Sequence, residues 1–527
     1  MRSLNFYMIM FSLLFISIEN NAQVFTKSGV LKMSLKNSGT IINGNQVNGY
    51  YFFYNQEKKS AKLNNYLLTV VDENLREVNS ITITRSNTIQ LIEGAYNGAA
   101  FCFLFYDLKS RSTELLSFDG TLKQTASVIK KISSKLLISA YTQIAQGKEA
   151  TQNYLLPIDN KGFLCYSLKE GKKFHYEIEY YDNSLKRVWV DRAPDTAKIE
   201  TATEAFQDKE YVGSLIMKKE NQASSNLEYH HMVHQIESGK KLFSVPVKTD
   251  QYTVAISNVH YDSLSRNFVV FGEYYGKSDR ELKDQSLGFI TVVYDMEGKM
   301  INQKANSWAN EISKAAPFTE KGKFEGLNAN VLFHQTIRTA DGQIFIVGEQ
   351  YKKAISGAGV ALKVLSIAAA AATGYYRSST SAIQLNIYNM IVFQFNPDYT
   401  INKVHLFEKS KNVVMLPEGW GTISPKLLSF YAKSIGGFDY SFSQLSADKT
   451  TFIVNYINFD RSPNAKSKNI LGSIVYTPEK TFTVDKLELN RKSTEYFVSK
   501  AKNGYILITE YFRKEKRFES RLEKINY

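Results

Sequence analysis

Three glutamates, Glu273, Glu349 and Glu510, stand at matching places in three like segments, where carboxylates could act as the general acid and base of a glycoside hydrolase. That chemistry needs two carboxyls in unlike surroundings, one kept protonated and one ionised. One carboxylate repeated in a single context is explained more simply as a structural hydrogen-bond acceptor. The stretch Glu228-Tyr-His-His-Met-Val-His234 suggests metal binding, because His230 and His234 at helical spacing would aim two imidazoles the same way. Read as a strand, it sets their Cα atoms about 13 Å apart and turns His231 to the other face, so no metal site is expected. Trp420, in Pro417-Glu-Gly-Trp-Gly-Thr-Ile-Ser-Pro425, is the candidate ligand-binding residue. An indole held by glycines and prolines can stack on a sugar or peptide, or pack under a neighbouring sheet. No nucleophile elbow, phosphate-binding loop or dinucleotide fingerprint occurs, so neither nucleophilic catalysis nor a cofactor is expected.

The elements that must position these residues repeat. An apolar, β-branched or aromatic strand recurs in eight segments. The clearest are Phe268-Val-Val-Phe-Gly-Glu-Tyr-Tyr-Gly-Lys277, Ile344-Phe-Ile-Val-Gly-Glu-Gln-Tyr-Lys-Lys353 and Tyr505-Ile-Leu-Ile-Thr-Glu-Tyr-Phe-Arg-Lys514. Weaker copies start at Tyr50, Ala100, Phe163, Tyr211 and Thr451. Partner strands close on acidic or glycine turns at Asp72, Asp119, Asp182 and Asp295, a hairpin signature. Those turn aspartates follow one another at 47, 63 and 113 residues, the last being two units. Such spacing, with strands that alternate little, predicts an all-β propeller of about seven blades, each of three or four strands. The blade holding Tyr505 to Lys514 lacks a long partner, and an early strand near Val30 is unmatched, so N- and C-terminal strands are candidates to share one blade. One alanine-rich interruption, with Ala368 to Ala372 at its centre, predicts a helix inserted over about 355–380. It can pack on the propeller or touch a membrane peripherally, but its charge-free run is too short to span one.

Met1 and Arg2 lead into an apolar run from Phe6 to Ile18, then Asn21-Ala22-Gln23, the layout of a secretory signal peptide covering 1–22. The mature chain, 23–527, then forms a single propeller domain, and its first residue is not the cysteine that a lipoprotein requires. The localisation expected is periplasmic or secreted. With 65 Lys+Arg against 51 Asp+Glu the chain carries +14, which suits a protein or envelope partner with an anionic surface; export argues against nucleic acid. Cys102 and Cys165 align to opposite faces of equivalent strands about 10 Å apart, so no disulfide between them is expected. A membrane barrel is disfavoured because the last residues alternate Ile525, Glu523, Arg521 and Glu519 on one face, which would have to meet lipid.

The signal ending at Asn21-Ala22-Gln23, the aromatic, lysine-rich strands and the Gly-Glu-x-Tyr strand ends at 272–275 and 348–351 resemble secreted proteins of the Bacteroidota. More narrowly, the chain is similar to one of their full-length families of unknown function with propeller-like β repeats. The resemblance implies a propeller and transfers no catalytic residue. Function is therefore read as an exported, non-catalytic β-propeller that binds a protein or envelope polysaccharide. The alternative is a carbohydrate-active hydrolase using axial carboxylates.

Overall fold

Every one of the eight repeated segments is the second strand of its own sheet, so the number of blades is eight rather than about seven. The computed structural model describes residues 24–32, 38–43, 46–56, 60–145, 154–171, 173–221, 228–263, 265–281, 284–355, 383–416, 420–460, 468–489 and 495–525. Within them the chain forms eight separate antiparallel sheets in sequence order: blades 1 (30–86), 2 (89–131), 3 (155–192), 4 (199–246), 5 (252–307), 6 (330–407), 7 (440–488) and 8 (495–524). Blade 6 gains a short extra strand, Asn412–Met415. The closed cylinder of a membrane barrel is absent from the described residues, which form separate sheets. The predicted alanine-rich helix lies outside the described residues from 356 to 382, as does the predicted signal segment. The longer helices of the described residues are α1, Lys135–Ala145, and α2, Pro425–Ser434, neither of which the sequence reading anticipated.

Radial stacking explains the strand chemistry. Second and third strands are buried on both faces: seven of the eight residues of Ala100–Asp107 and all of Gly288–Tyr294 are buried. Fourth strands form the outer edge and recover an exposed alternation, as in Gln124–Lys131. Most consecutive blades touch through their first strands, as Ile199–Gln207 does Tyr252–Asp262. Apolar clusters fill the layers between blades, for example Phe53, Phe103 and Phe105 between blades 1 and 2.

The turn aspartates act as hairpin clamps. Asp72, Asp119 and Asp182 each accept, through Oδ1, the N–H groups two and four residues on, at 2.8–3.0 Å. Asp295 does the same at 2.9 Å. The residue three positions on takes positive φ: Leu75 64°, Leu122 67°, Leu185 58° and Gly298 79°. Three leucines tolerate that geometry because each is buried, so core contact offsets the left-handed backbone cost.

The glycine of the Gly-Glu-x-Tyr strand ends has a steric origin. A Cβ at Gly272 would lie 2.4 Å from the carbonyl oxygen of Ala255, and one at Gly348 would lie 2.8 Å from that of Leu332. In both blades the first strand bulges beside that glycine, between Ile256 and Asn258 and between Phe333 and Gln335.

Closure joins the chain's two ends in one blade. The strand Val24–Ser28 pairs with Arg517–Lys524 as the fourth strand of blade 8. Val30–Lys32, two residues later, already belongs to blade 1. Phe25 stacks on Phe52 of blade 1 at 5.3 Å and packs against Phe518 of blade 8 at 5.9 Å. The shared blade anticipated from sequence is present, but the strand that completes it is Val24–Ser28 rather than the one near Val30.

Candidate functional site

The bulged first strands of blades 5 and 6, the second-strand end of blade 5 and α2 enclose a cavity of about 240 Å3. Glu273 and Tyr275 project into it from alternate positions of the second strand, hence from one face. Opposite them is Lys426, in the first turn of α2. That turn is fixed by Pro425 and by Ser424, whose hydroxyl accepts from the Leu427 N–H. Lys426 Nζ lies 2.7 Å from Glu273 Oε2, donates to the Tyr275 hydroxyl and sits 4.7 Å from the centre of the Tyr275 ring. Burial, and then the Glu273 charge, pushes the Tyr275 hydroxyl far above its usual range, so it stays protonated.

Glu281 is the unusual member of this cavity. It comes from the loop between the second and third strands of blade 5 and is 4% exposed. Tyr229 of blade 4 donates to its Oε1 at 2.9 Å, while Oε2 is buried with no hydrogen-bond partner among the described residues. Burial raises its pKa to about 7; the Tyr229 hydrogen bond and Lys426 oppose that rise and Glu273 adds to it. A carboxyl so placed can donate a proton or a hydrogen bond at neutral pH. Trp308 also lines the cavity, with its indole N–H held at 3.0 Å by the Ser286 hydroxyl.

The other two matched glutamates are elsewhere. Glu349 is fully buried in a polar cluster that joins blade 6 to blade 7. Its Oε2 accepts from the Tyr440 N–H at 2.9 Å, its Oε1 lies 3.1 Å from Lys409 Nζ, and Lys409 reaches Asp439 at 2.6 Å. His334 Nε2 lies 3.1 Å from Glu349 Oε2, out of line for a hydrogen bond. Burial opposes the Glu349 charge, but Lys409 and His334 outweigh it and hold the carboxyl below its ordinary value. Glu510 is 1% exposed in blade 8 and pairs with Arg521. The structure therefore brings none of the three matched glutamates together, and only Glu273 faces the cavity.

The histidine segment is a strand, Glu228–Gln235. His230 contacts Glu228 at 3.1 Å, and His234 lies 3.2 Å from Asp191 and stacks on Trp189. His231 is buried against Phe206, Phe243, Phe268 and Tyr294, with its pKa lowered to about 3 by burial. Among the described residues no group of three or more His, Cys, Asp or Glu side chains is placed to hold a metal ion. Trp420 packs edge-on against Tyr431 of α2 at 4.7 Å and does not line the cavity; its neighbours 417–419 lie outside the described residues. Among the described residues no helix is long and apolar enough to cross a membrane.

Sequence reasoning found Glu273 and missed Glu281, Tyr229, Lys426 and Lys433, the last of which lines the cavity from the far end of α2. The missed residues fall in a loop, at a strand start and in a connector helix, where the repeat offers no equivalent positions. One signal was present: the span between Gly276 and Gly288 is far longer than a tight hairpin turn, and it carries acids.

The chain is similar in solved structures to the β-propeller domain of the Trilobed protease from Pyrococcus furiosus, at 10% identity and TM-score 0.34, covering 88% of this chain and 97% of that one. A structure of prolyl endopeptidases matches at 10% identity and TM-score 0.39, covering 91% of this chain and 55% of that one. The polysaccharide lyase Uly1 matches at 8% identity and TM-score 0.33, covering 94% and 91%. No curated protein matches. A model described as "Family of unknown function (DUF6770)" matches residues 1–526, and the chain belongs to that family.

Proposed function

We propose that this member of a family of unknown function is an exported, non-catalytic propeller that binds a component of the cell envelope in the cavity between blades 5 and 6. The observation that carries this reading is the Glu281 carboxyl, whose Oε2 is buried without a partner at the wall of a 240 Å3 space. An unpaired buried acceptor costs about 1–3 kcal/mol, and a bound ligand group removes that cost. The volume lies just below the roughly 300–1,000 Å3 of small-molecule sites, so it suits one ring or side chain of a larger partner. The N-terminal sequence supports a periplasmic or secreted location.

A second reading, a carbohydrate-active hydrolase, is favoured by one feature: Glu281 and Glu273 occupy unlike environments, one desolvated and one paired with Lys426. A glycan array probed with the wild-type chain and with Ser257→Trp, which fills the cavity mouth, tests the site. Retained glycans recovered at unchanged mass, and lost from Ser257→Trp, are the expected result. Shortened glycans would move the assignment to the hydrolase. Retention unaffected by the bulky substitution would remove the cavity as the site.

A further inference from the structure

The charges around the cavity do not balance. Lys426 is matched by Glu273, and Asp284 by Arg280 at 3.4 Å in the same loop. Lys321 and Lys433 also line the cavity, and neither makes an ion pair among the described residues. Lys433 Nζ donates only to the carbonyl of Phe333 at 3.2 Å, and burial around its ammonium pulls its pKa down although the residue as a whole is exposed. Two uncompensated ammoniums lining the same cavity as a carboxyl that burial pushes towards its neutral form call for an anion. Tyr275, Trp308 and Phe430 present aromatic surface to the same space, and Ser257, Ser429 and Asn330 add hydrogen-bonding groups. Aromatic surface with scattered polar groups suits a hydroxylated ring, whose C–H face stacks while its hydroxyls are held at the edge.

Building on the reading of this cavity as a binding site, we infer that its ligand is an acidic sugar, a hydroxylated ring bearing a carboxylate, gripped by Lys321 and Lys433 and hydrogen-bonded by Glu281. The protonated Glu281 carboxyl donates to the ligand through the oxygen that has no protein partner. Ionised, the same group repels a carboxylate. The groups facing Glu281 are Tyr229 from blade 4, Glu273 and Tyr275 from blade 5 and Lys426 from α2. Burial holds both tyrosines protonated and raises the Glu281 carboxyl to about 7, so Glu281 changes charge near neutrality.

Titration calorimetry with digalacturonate, and with neutral digalactose of the same linkage, tests the inference. With Glu281 titrating near pH 7, the digalacturonate Kd is expected to rise roughly 30-fold between pH 5.5 and 8.5. Glu281→Gln, which keeps a donor at every pH, should flatten that profile. Lys433→Ala and Lys321→Ala should each weaken binding about tenfold at both pH values, and digalactose should bind at least tenfold more weakly. A Glu281→Gln chain that keeps the full pH dependence overturns the inference, as does digalacturonate that fails to bind at millimolar concentration. Digalactose that matches digalacturonate, with both lost in Ser257→Trp, overturns the acidic-sugar assignment and leaves the binding site standing. Binding undiminished in Ser257→Trp overturns both.

Discussion

Glu349 has no solvent and several partners, so the loss of its charge leaves Lys409 with Asp439 alone and takes the anionic acceptor from the Tyr440 N–H. Because Lys409 keeps Asp439 as its counter-ion, Glu349→Gln loses a buried charged hydrogen-bond acceptor rather than a whole ion pair, and should lose about 1.5–3 kcal/mol in urea denaturation. Glu273→Gln, with the partly solvated Lys426 as its partner, should lose about 1 kcal/mol or less. Equal losses would contradict the distinction between an interior staple and a cavity wall. Glu281 runs the other way. Its folded pKa, about 7, lies above the value near 4.3 of an unfolded glutamate, so the folded chain holds the extra proton and stability falls as pH rises through that window. Glu281→Gln should therefore be more stable than wild type at pH 8, by up to about 3 kcal/mol, and nearly equal to it at pH 4; a constant difference would count against the shift. The cysteines make the same point about environment. Superposing their equivalent strands puts Cys102 and Cys165 on opposite faces of the repeat. Opposite faces of neighbouring blades share one layer, so both thiols enter the same apolar cluster, free of any disulfide.

At the scale of the element, the hairpin clamp was legible in the sequence and its partner residue was not. Aspartate before a short polar stretch signals a turn, but which residue takes positive φ is decided by burial, and here three leucines rather than glycines take it. Asp182→Ala removes the acceptor for two backbone N–H groups and the Ser184 hydroxyl, and should lower stability by about 1 kcal/mol in thermal unfolding. Leu185→Gly should cost more, about 2 kcal/mol, because the relieved backbone recovers less than the lost core contact. A stabilised Leu185→Gly would show that strain dominates. Hydrogen bonds to Asp107, Asp119, Asp182, Asp341, Asp398 and Asp448 lower their pKa values. Those clamps are at full strength above about pH 4 and weaken as pH falls through the lowered values, so acid should loosen the hairpins together. The connector helix α2 was illegible for a different reason: it lies outside the repeat, and its ten residues take their place from packing against the second and third strands of blade 6.

For the whole molecule, the eight second strands are all visible as apolar runs, while the turn spacing predicts about seven blades; the sheets number eight because each of those runs is the second strand of its own blade, blade 8 being assembled from both ends of the chain. The sequence makes the two chain ends candidates to share a blade, but no local pattern announces which N-terminal strand completes it, because that strand's partner is almost five hundred residues away. That same feature makes closure the long-range step of folding, since the ring is complete only when Val24–Ser28 reaches Arg517–Lys524. Thr26 stands directly opposite Glu519 across this seam, and Thr26 is exposed. Cysteines at those two positions sit within the spacing that neighbouring antiparallel strands give, so Thr26→Cys with Glu519→Cys should form a disulfide without moving the backbone. A covalent seam removes the open-ring states of the unfolded chain, and for so long a loop the stabilisation should reach about 4–5 kcal/mol, vanishing on addition of reductant. Melting of the oxidised and reduced forms gives the comparison. An oxidised form that melts no higher than its reduced counterpart would mean that unfolding begins in some blade away from the seam, with Phe25 still seated between Phe52 and Phe518.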